Sequence, residues 1–98
     1  MKFSYKIHES GSDILLAICD ESVLGKTFES DNHNITIDPN FYHEKFSDEK
    51  TILQKIKEAT IVNAIGKETI KILINNKLTK KEEVIEICGL PHTMIVVV

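Results

Sequence analysis

Two turns in the second half of the chain carry the residues best suited to binding a ligand. In the first, Asn63-x-x-Gly66 leads from an apolar run into a helical pattern that begins with Lys67. Free backbone N–H groups at a helix N-terminus, with a lysine beside them, could hold a phosphate or a carboxylate. The turn lacks the repeated glycines of a dinucleotide-binding loop or a P-loop. The alternative is that Gly66 only takes an unusual backbone angle, with Asn63 as a cap.

The second turn, Gly89-Leu90-Pro91-His92, ends in a histidine. Histidine titrates near neutral pH, so His92 could exchange protons or contact an anion. The alternative is a solvated turn histidine. Together the two turns give the first candidate ligand-binding residues, which are Asn63, Gly66, Lys67, Pro91 and His92.

Charged and aromatic residues of the first half offer two weaker possibilities. Asp20 and Glu21 directly follow an apolar strand pattern, and Lys26 comes shortly after them. Paired carboxylates can separate their pKa values and act as acid and base, although adjacent acids in a turn can also be merely solvated. Phe41 and Tyr42 could stack on a nucleobase or anchor a loop to the core. We add Asp20 and Lys26 to the candidate ligand-binding residues.

The sequence gives little support to a metal site or an enzyme. Cys88-x-x-x-His92 could form a zinc site together with Cys19 or a second histidine. A structural zinc site has four ligands, usually in two close pairs, and this sequence offers only one loose pair. Two cysteines far apart in sequence are typical of buried, reduced thiols in a cytosolic protein. The chain has no Ser-His-Asp spacing and no histidine pair at i and i+4. We predict no metal, no cofactor and no catalytic residue.

The elements around the two turns must bring them together. Thr60 to Ile65 and Val84 to Cys88 are apolar, strand-like runs on either side of a helical pattern from Lys67 to Lys77. This order predicts a parallel pair of neighbouring strands joined by a right-handed crossover. Ligand sites in open sheets lie just beyond the carboxyl ends of such strands. We therefore expect Asn63, Gly66, Pro91 and His92 to gather at one edge of the sheet.

The remaining patterns complete an α+β fold. Alternation predicts a strand from Lys2 to His8 that is edge-like or solvated on one side, paired in a hairpin with a buried strand from Ile14 to Cys19. Further predicted elements are strands at Leu24 to Phe28 and Ile35 to Ile37, a polar loop from Glu29 to Asn34, an irregular segment from Phe41 to Phe46, a helix from Asp48 to Ala59, and a last strand from Thr93 to Val98. The class is a two-layer sandwich, with two helices packed on one face of a mixed, mainly antiparallel sheet.

The composition favours one domain over residues 1–98. Of the 98 residues 42% are hydrophobic, which is enough for one core, and the net charge is −3. This charge lacks the basic excess that drives non-specific phosphate binding, so any contact with nucleic acid would be local. No signal-peptide pattern opens the chain, and no run reaches the ~18 apolar residues of a membrane span. We expect a cytoplasmic monomer or homodimer without membrane contact.

Five short blocks, in one order, resemble a known family. They are Ala17 to Glu21, Leu24 to Phe28, Phe41-Tyr42, Ala59 to Gly66 and Gly89 to His92. In this order they are similar to a small archaeal family, domain of unknown function 424, over nearly the whole chain. The resemblance implies an archaeal cytosolic protein of two-layer α/β build, and it implies no activity. The loops Asp31 to Asn34 and His43 to Phe46 match nothing in this pattern.

Two functions from different classes remain open. The first is a non-catalytic binding or adaptor module that acts on RNA or on the translation machinery, using a local cluster drawn from Lys2, Lys6, Lys26, Lys67, Lys71, Lys80 and Lys81. The alternative is a protein that binds a small anion or another small ligand, or an enzyme, with a pocket near Asn63, Gly66 and His92.

Overall fold

The computed structural model describes residues 2–97, and the predicted strand residue Val98 lies outside the described residues. The strands are β1 Phe3–Ser10, β2 Asp13–Asp20, β3 Thr27–Ser30, β4 His33–Thr36, β5 Lys45–Ser47, β6 Ile61–Ile65, β7 Ile85–Ile87 and β8 Leu90–Val96. The helices are α1 Pro39–Tyr42, α2 Glu49–Ile56 and α3 Lys67–Asn75, with short 3-10 turns at Glu21–Val23 and Lys81–Glu83. The predicted α+β class with a mixed sheet is confirmed.

Six of the strands form one sheet in the order β5-β1-β2-β6-β8-β7, and β3 and β4 form a separate hairpin. Strands β2 and β6 pair in parallel, while the other neighbouring pairs of both sheets are antiparallel. The predicted hairpin β1–β2 is therefore present, and the strands predicted near Leu24 to Phe28 and Ile35 to Ile37 pair as the β3–β4 hairpin. The parallel pair lies at the centre, where it brings the ends of β2 and β6 to the same edge.

The predicted pairing of Thr60 to Ile65 with Val84 to Cys88 is wrong. Strand β8 lies between β6 and β7 and pairs antiparallel with both. A two-residue turn at Cys88 and Gly89, with φ angles of 49° and 84°, returns the chain directly from β7 into β8. Of these two strands, the seven-residue β8 matches the full length of β6, whereas β7 has only three residues. Strands β6 and β7 still run in the same direction, as predicted, but on opposite sides of β8.

Several local predictions also need correction. The predicted Gly89–His92 turn is shorter, because β8 begins at Leu90. The segment Glu29 to Asn34, predicted as a loop, extends the β3–β4 hairpin to a tight turn instead. The segment Phe41 to Phe46 contains the end of α1 and the start of β5, because Asp38 caps a helix that starts with Pro39. Strand β1 is not at the edge, since β5 pairs with its first residues.

The larger core lies between α2, α3 and one face of the six-stranded sheet, which we call the helix face. Ile52 and Ile56 of α2 and Leu73 of α3 share one buried cluster with alternate residues of the central strands. The sheet members of this cluster are Phe3, Tyr5, Leu16, Ile18, Val62 and Ala64. Because side chains alternate between the faces of a strand, these residues all point to the helix face.

A second cluster lies on the opposite face, which we call the hairpin face. Cys19 and Ile65 of the sheet pack there with Leu90 at the start of β8. The β3–β4 hairpin contributes the partly buried Phe28 and Ile35, and α1 contributes Tyr42. The hairpin and α1 therefore cover part of this face, an arrangement that the sequence patterns did not predict.

Candidate functional site

One carboxylate joins the end of β2 to the start of α3. Asp20 accepts hydrogen bonds from the backbone N–H groups of Glu68 (3.0 Å) and Thr69 (2.8 Å) and from the Thr69 hydroxyl (2.7 Å). The N-cap residue of α3 is Gly66, which has no side chain to cap the helix, so Asp20 caps it from the neighbouring strand. Only 5% of Asp20 is exposed, and its charge lies at the positive end of the helix dipole.

This contact requires glycine at position 66. Gly66 has a φ of +116°, and a Cβ placed there would lie 2.5 Å from Oδ1 of Asp20. A larger residue would therefore be strained in its backbone and would overlap the carboxylate. Asn63 does not cap this turn, because its side chain is hydrogen-bonded on the hairpin face. The unusual backbone angle that we considered for Gly66 is present, with a different cap.

The Asp20 carboxylate lies where the sequence predicts a bound anion. The N–H groups of Glu68 and Thr69 already donate to it. Lys67 is exposed beside them and lines a separate groove along α3. An external phosphate could reach these amides only by displacing a buried carboxylate, so a ligand site at this end of the sheet has to use other groups.

Tyr42, Asn63 and His92 form a polar group on the hairpin face, which we call the amide cluster. The Tyr42 hydroxyl donates to Oδ1 of Asn63 at 2.8 Å, and Nε2 of His92 lies 3.2 Å from the same oxygen. Because an amide oxygen only accepts, both neighbours act as donors, and Nε2 carries the hydrogen. The backbone N–H of Gly66 donates to the Pro91 carbonyl at 3.0 Å, so the two predicted turns lie side by side.

The amide cluster and the neighbouring thiol are uncharged at neutral pH. Burial raises the pKa of Tyr42 to about 12, and the negative charge of the ionised Cys19 adds to this rise. Burial, followed by the charge of Asp20, raises the pKa of Cys19 to about 12. Burial also lowers the pKa of His92 below its ordinary value. The cluster can therefore offer hydrogen bonds but not charge, and Cys19 stays a protonated thiol rather than a nucleophile.

The seven predicted site residues lie at one end of the sheet but face different cavities. Asp20 and Lys26 line a cleft of about 490 Å³ with Lys2, Glu21, Ser22 and Glu68. Lys67 and Pro91 line a groove of about 440 Å³ between α3 and β7. Asn63 and His92 belong to the amide cluster. The structure brings these residues to one rim, but it distributes them over both faces of the sheet.

Next to the amide cluster, a strip of apolar side chains is left uncovered. Leu15, Ile61 and Val96 are partners on three successive strands, and Met94 lies beside Asn63 on the same face. Val96 is 71% exposed and Met94 is 58% exposed, while Leu15 and Ile61 are half-buried. We call these four residues the open strip. The sequence pattern did not predict this strip, because a run of adjacent apolar residues does not reveal which ones face solvent.

Within residues 2–97, no group of three or more histidine, cysteine, aspartate or glutamate residues is arranged to hold a metal ion. Cys88, considered above for zinc, lies beside the β3–β4 hairpin, with its Sγ 3.8 Å from the backbone oxygen of His33. None of the helices described above is long and apolar enough to cross a membrane.

Comparison with known proteins identifies the family. A family profile described as "Protein of unknown function (DUF424)" matches residues 8–98. The chain belongs to the DUF424 family. This DUF424 chain is also similar to an uncharacterized conserved protein from Methanopyrus kandleri whose crystal structure is known, with 26% sequence identity and a TM-score of 0.84. That match covers 97% of this chain and 90% of the other. Among curated proteins, none matches the chain.

The family resemblance drawn from the sequence is thereby confirmed. The DUF424 match covers both turns, the amide cluster and the open strip, since all of them lie within residues 8–98. The family description and the structural relative both leave the function open.

Replacing Gly66 by alanine should lower the free energy of unfolding by more than about 2 kcal/mol, because of overlap with Asp20 and backbone strain. Asp20→Ala should lower it by about 1–3 kcal/mol, since two helix amides lose their acceptor. In the double variant the overlap is absent, so its loss in free energy of unfolding should be smaller than the sum of the two single losses. Urea unfolding of the four proteins measures this coupling. Additive losses would show that the two positions do not constrain each other.

Acidification should destabilise the protein through His92. Burial holds its folded pKa below the ordinary value of 6.5, so below about that pH the unfolded chain binds a proton that the folded protein does not. The free energy of unfolding should therefore decrease as pH falls through this range towards the folded pKa. His92→Gln keeps a hydrogen-bond donor without the titration. The stability advantage of wild type over this variant should shrink between about pH 8 and about pH 5 in urea unfolding, and a constant difference would contradict the assignment.

Proposed function

We propose that this DUF424 protein is a non-catalytic binding or adaptor module that contacts a protein of the translation machinery through the open strip. One observation carries the proposal, the exposure of Met94 and Val96 beside half-buried Leu15 and Ile61 on one sheet face. Contiguous exposed apolar side chains on a small protein mark contact surfaces. The proposal includes the archaeal source and cytoplasmic location that the family resemblance implies. It also adopts the two-layer arrangement, in which α2 and α3 cover the helix face and leave the hairpin face for a partner.

The charge distribution favours a protein over RNA as the partner. RNA binding draws much of its affinity from lysines and arginines that contact phosphates. Lys2 and Lys26 share their cleft with Asp20, Glu21 and Glu68, and Lys67 and Lys81 share theirs with Glu86. These mixed charges leave separate lysines rather than the extended positive surface that a run of phosphates requires. The open strip consists of aliphatic and thioether side chains, which suit the apolar centre of a protein interface.

The aromatic residues of α1 also support a protein partner. The Phe41 ring stacks on His8 with ring centroids 4.8 Å apart and contacts Tyr42 edge to face at 4.9 Å. The Tyr42 hydroxyl is engaged by Asn63. These rings already have partners within the fold, so a nucleobase would have to displace them before it could stack.

Met94→Asp should abolish the proposed contact, because association would bury an unpaired carboxylate at the strip. Tagged wild-type protein, added to a lysate of the source organism, should cosediment with ribosomal subunits or translation factors in a sucrose gradient, and the variant should stay in the free fraction. Stability should change little, since Met94 is 58% exposed. Leu78→Asp is the matched control, because Leu78 is also exposed but lies in a cleft beside α2.

Three other outcomes would contradict this proposal. Wild-type protein that stays in the free fraction has no such partner. If both wild type and the Met94→Asp variant shift bulk RNA in a gel at low salt, the protein binds RNA through another surface. If wild-type protein sediments as a homodimer and the Met94→Asp variant as a monomer, the strip serves self-association. A homodimer is one of the two oligomeric states expected from the sequence.

The amide cluster favours a second candidate function, the binding of a small anion or another small polar ligand. Tyr42 and His92 both donate to Oδ1 of Asn63, which leaves the amide Nδ2 of Asn63 to donate to a ligand. The neutral His92 ring offers Nδ1 as an acceptor. Gly66 lies at the end of the same strand, where its backbone bonds to Pro91. Such fixed polar groups beside an apolar surface are typical of small-molecule sites.

Titration of isotope-labelled protein with inorganic phosphate, and separately with a nucleoside monophosphate, tests this second function. Ligand binding should shift the side-chain amide signals of Asn63 and the ring signals of His92. Asn63→Ala and His92→Ala should remove the remaining shifts, and each should also lower the free energy of unfolding by about 1–2 kcal/mol, because the hydrogen bonds within the amide cluster are lost. A purely structural corner would instead show no shift of the wild-type signals at millimolar ligand.

A further inference from the structure

A groove of about 440 Å³ runs between α3 and β7, on the helix face. Helix α3 contributes Lys67, Ile70 and Ile74, and the opposite wall includes Lys81, Val84 and Glu86. The floor is therefore apolar, and a lysine lies at each end, one at the start of α3 and one in the turn before β7. The groove is separate from the open strip, which lies on the other face of the sheet.

The wall formed by β7 is the last strand of the six-stranded sheet. The Pro91 carbonyl accepts from Gly66 on the β6 side of β8. The backbone N–H and C=O groups of successive residues in a strand point to opposite neighbours. Those of Leu90 and His92 therefore point to β7, where these residues pair with Ile87 and Ile85. The residue between these two, Glu86, directs its N–H and C=O away from the sheet. This edge therefore presents one donor and one acceptor to an added strand.

A second cleft, of about 400 Å³, lies on the other side of the same edge. It is lined by His33, Asn34 and Ile35 of β4 and by Glu86 and Ile87 of β7. Strands β4 and β7 are not paired, since β3 and β4 form their own sheet. An added strand would thus have room for side chains on both faces, in the apolar groove on one and the more polar cleft on the other.

We propose that β7 accepts an extended acidic peptide segment of a partner protein as a seventh strand, with alternate side chains in the groove along α3. Lys67 and Ile74 are about 10 Å apart along the helix, a length that an extended chain spans in three to four residues. The segment that fits has an apolar residue at the centre and an acidic residue two positions to each side. The central residue lies on Ile70 and Ile74, and the acidic residues reach Lys67 and Lys81.

Charge selects a foreign peptide over a second copy of this chain. Antiparallel pairing of β7 with itself about Glu86 would place two Glu86 carboxylates opposite each other on the same face, which is unfavourable. A single charged residue on a short edge strand is a common protection against such pairing. An acidic peptide instead places its carboxylates at the ends of the groove, next to the lysines and away from Glu86.

The experiment uses fluorescence anisotropy of a labelled, end-blocked peptide, Ser-Glu-Thr-Ile-Thr-Glu-Ser, which reads the same in both directions. Wild-type protein should bind it at low salt, and the peptide with lysine in place of glutamate should not bind. Glu86→Pro removes the outward N–H and no bond to β8, so it should abolish binding without unfolding the sheet. Glu86→Ala, the matched control, keeps this N–H and should bind as well as wild type.

Lys67→Glu combined with Lys81→Glu should weaken binding about tenfold, as expected for the loss of two partly exposed ion pairs. Met94→Asp on the opposite face should leave peptide binding unchanged, so this inference and the proposed function fail independently. Strand addition would be overturned if the Glu86→Pro and Glu86→Ala variants bound the peptide equally well, or if wild-type protein did not bind it. The proposal would also be overturned if wild-type protein sediments as a dimer and the Glu86→Pro variant as a monomer, because the edge would then serve self-pairing.

Discussion

The buried Asp20 carboxylate at the N-terminus of α3 is the contact on which the arrangement of the site depends. Cys19 and Ile65 are partners in the parallel β2–β6 ladder, so Asp20 and Gly66 come next, side by side, at adjacent strand ends. Three donors of α3 converge on the carboxylate, and glycine at 66 leaves it the space it needs. The Gly66 N–H then bonds to Pro91 and adds β8 to the same unit. One helix and three strands are thus fixed together at one rim.

This constraint gives the two faces of the sheet different chemistry. On the helix face, the carboxylate and the helix amides satisfy each other, so the positive end of α3 is already neutralised. On the hairpin face, Tyr42, Asn63 and His92 exchange hydrogen bonds without charge, because burial opposes ionisation of the tyrosine and the histidine. Binding on the hairpin face must therefore draw on apolar area and hydrogen bonds, whereas the exposed lysines border the cavities at the rim and along α3.

Local signals predicted much of the fold, and long-range contacts account for the rest. An apolar run, Gly66 and apolar residues at helical spacing predicted the strand, the glycine turn and the helix between residues 60 and 75. The approach of His92 to Asn63 was predicted from a wrong pairing, and it held because β6 and β7 run in the same direction on either side of β8. The Asp20–Thr69 contact joins residues 49 positions apart, which no local pattern encodes. Helix α1 spans only four residues, too few for a periodic signal.

The uncovered parts of the sheet reflect the unequal sizes of the elements that lie on its two faces. Within residues 2–97, helices α2 and α3, of eight and nine residues, contribute to the buried cluster on the helix face, whereas the other face is packed by a hairpin of four-residue strands and the four-residue α1. Charged residues at the bare positions would keep such a face solvated, yet Met94 and Val96 occupy them. The bare edge carries Glu86, which opposes pairing with a second copy. The charge on β7 thus disfavours non-specific strand pairing at this edge, while the open strip leaves part of the hairpin face apolar. This combination suits contact with a specific partner.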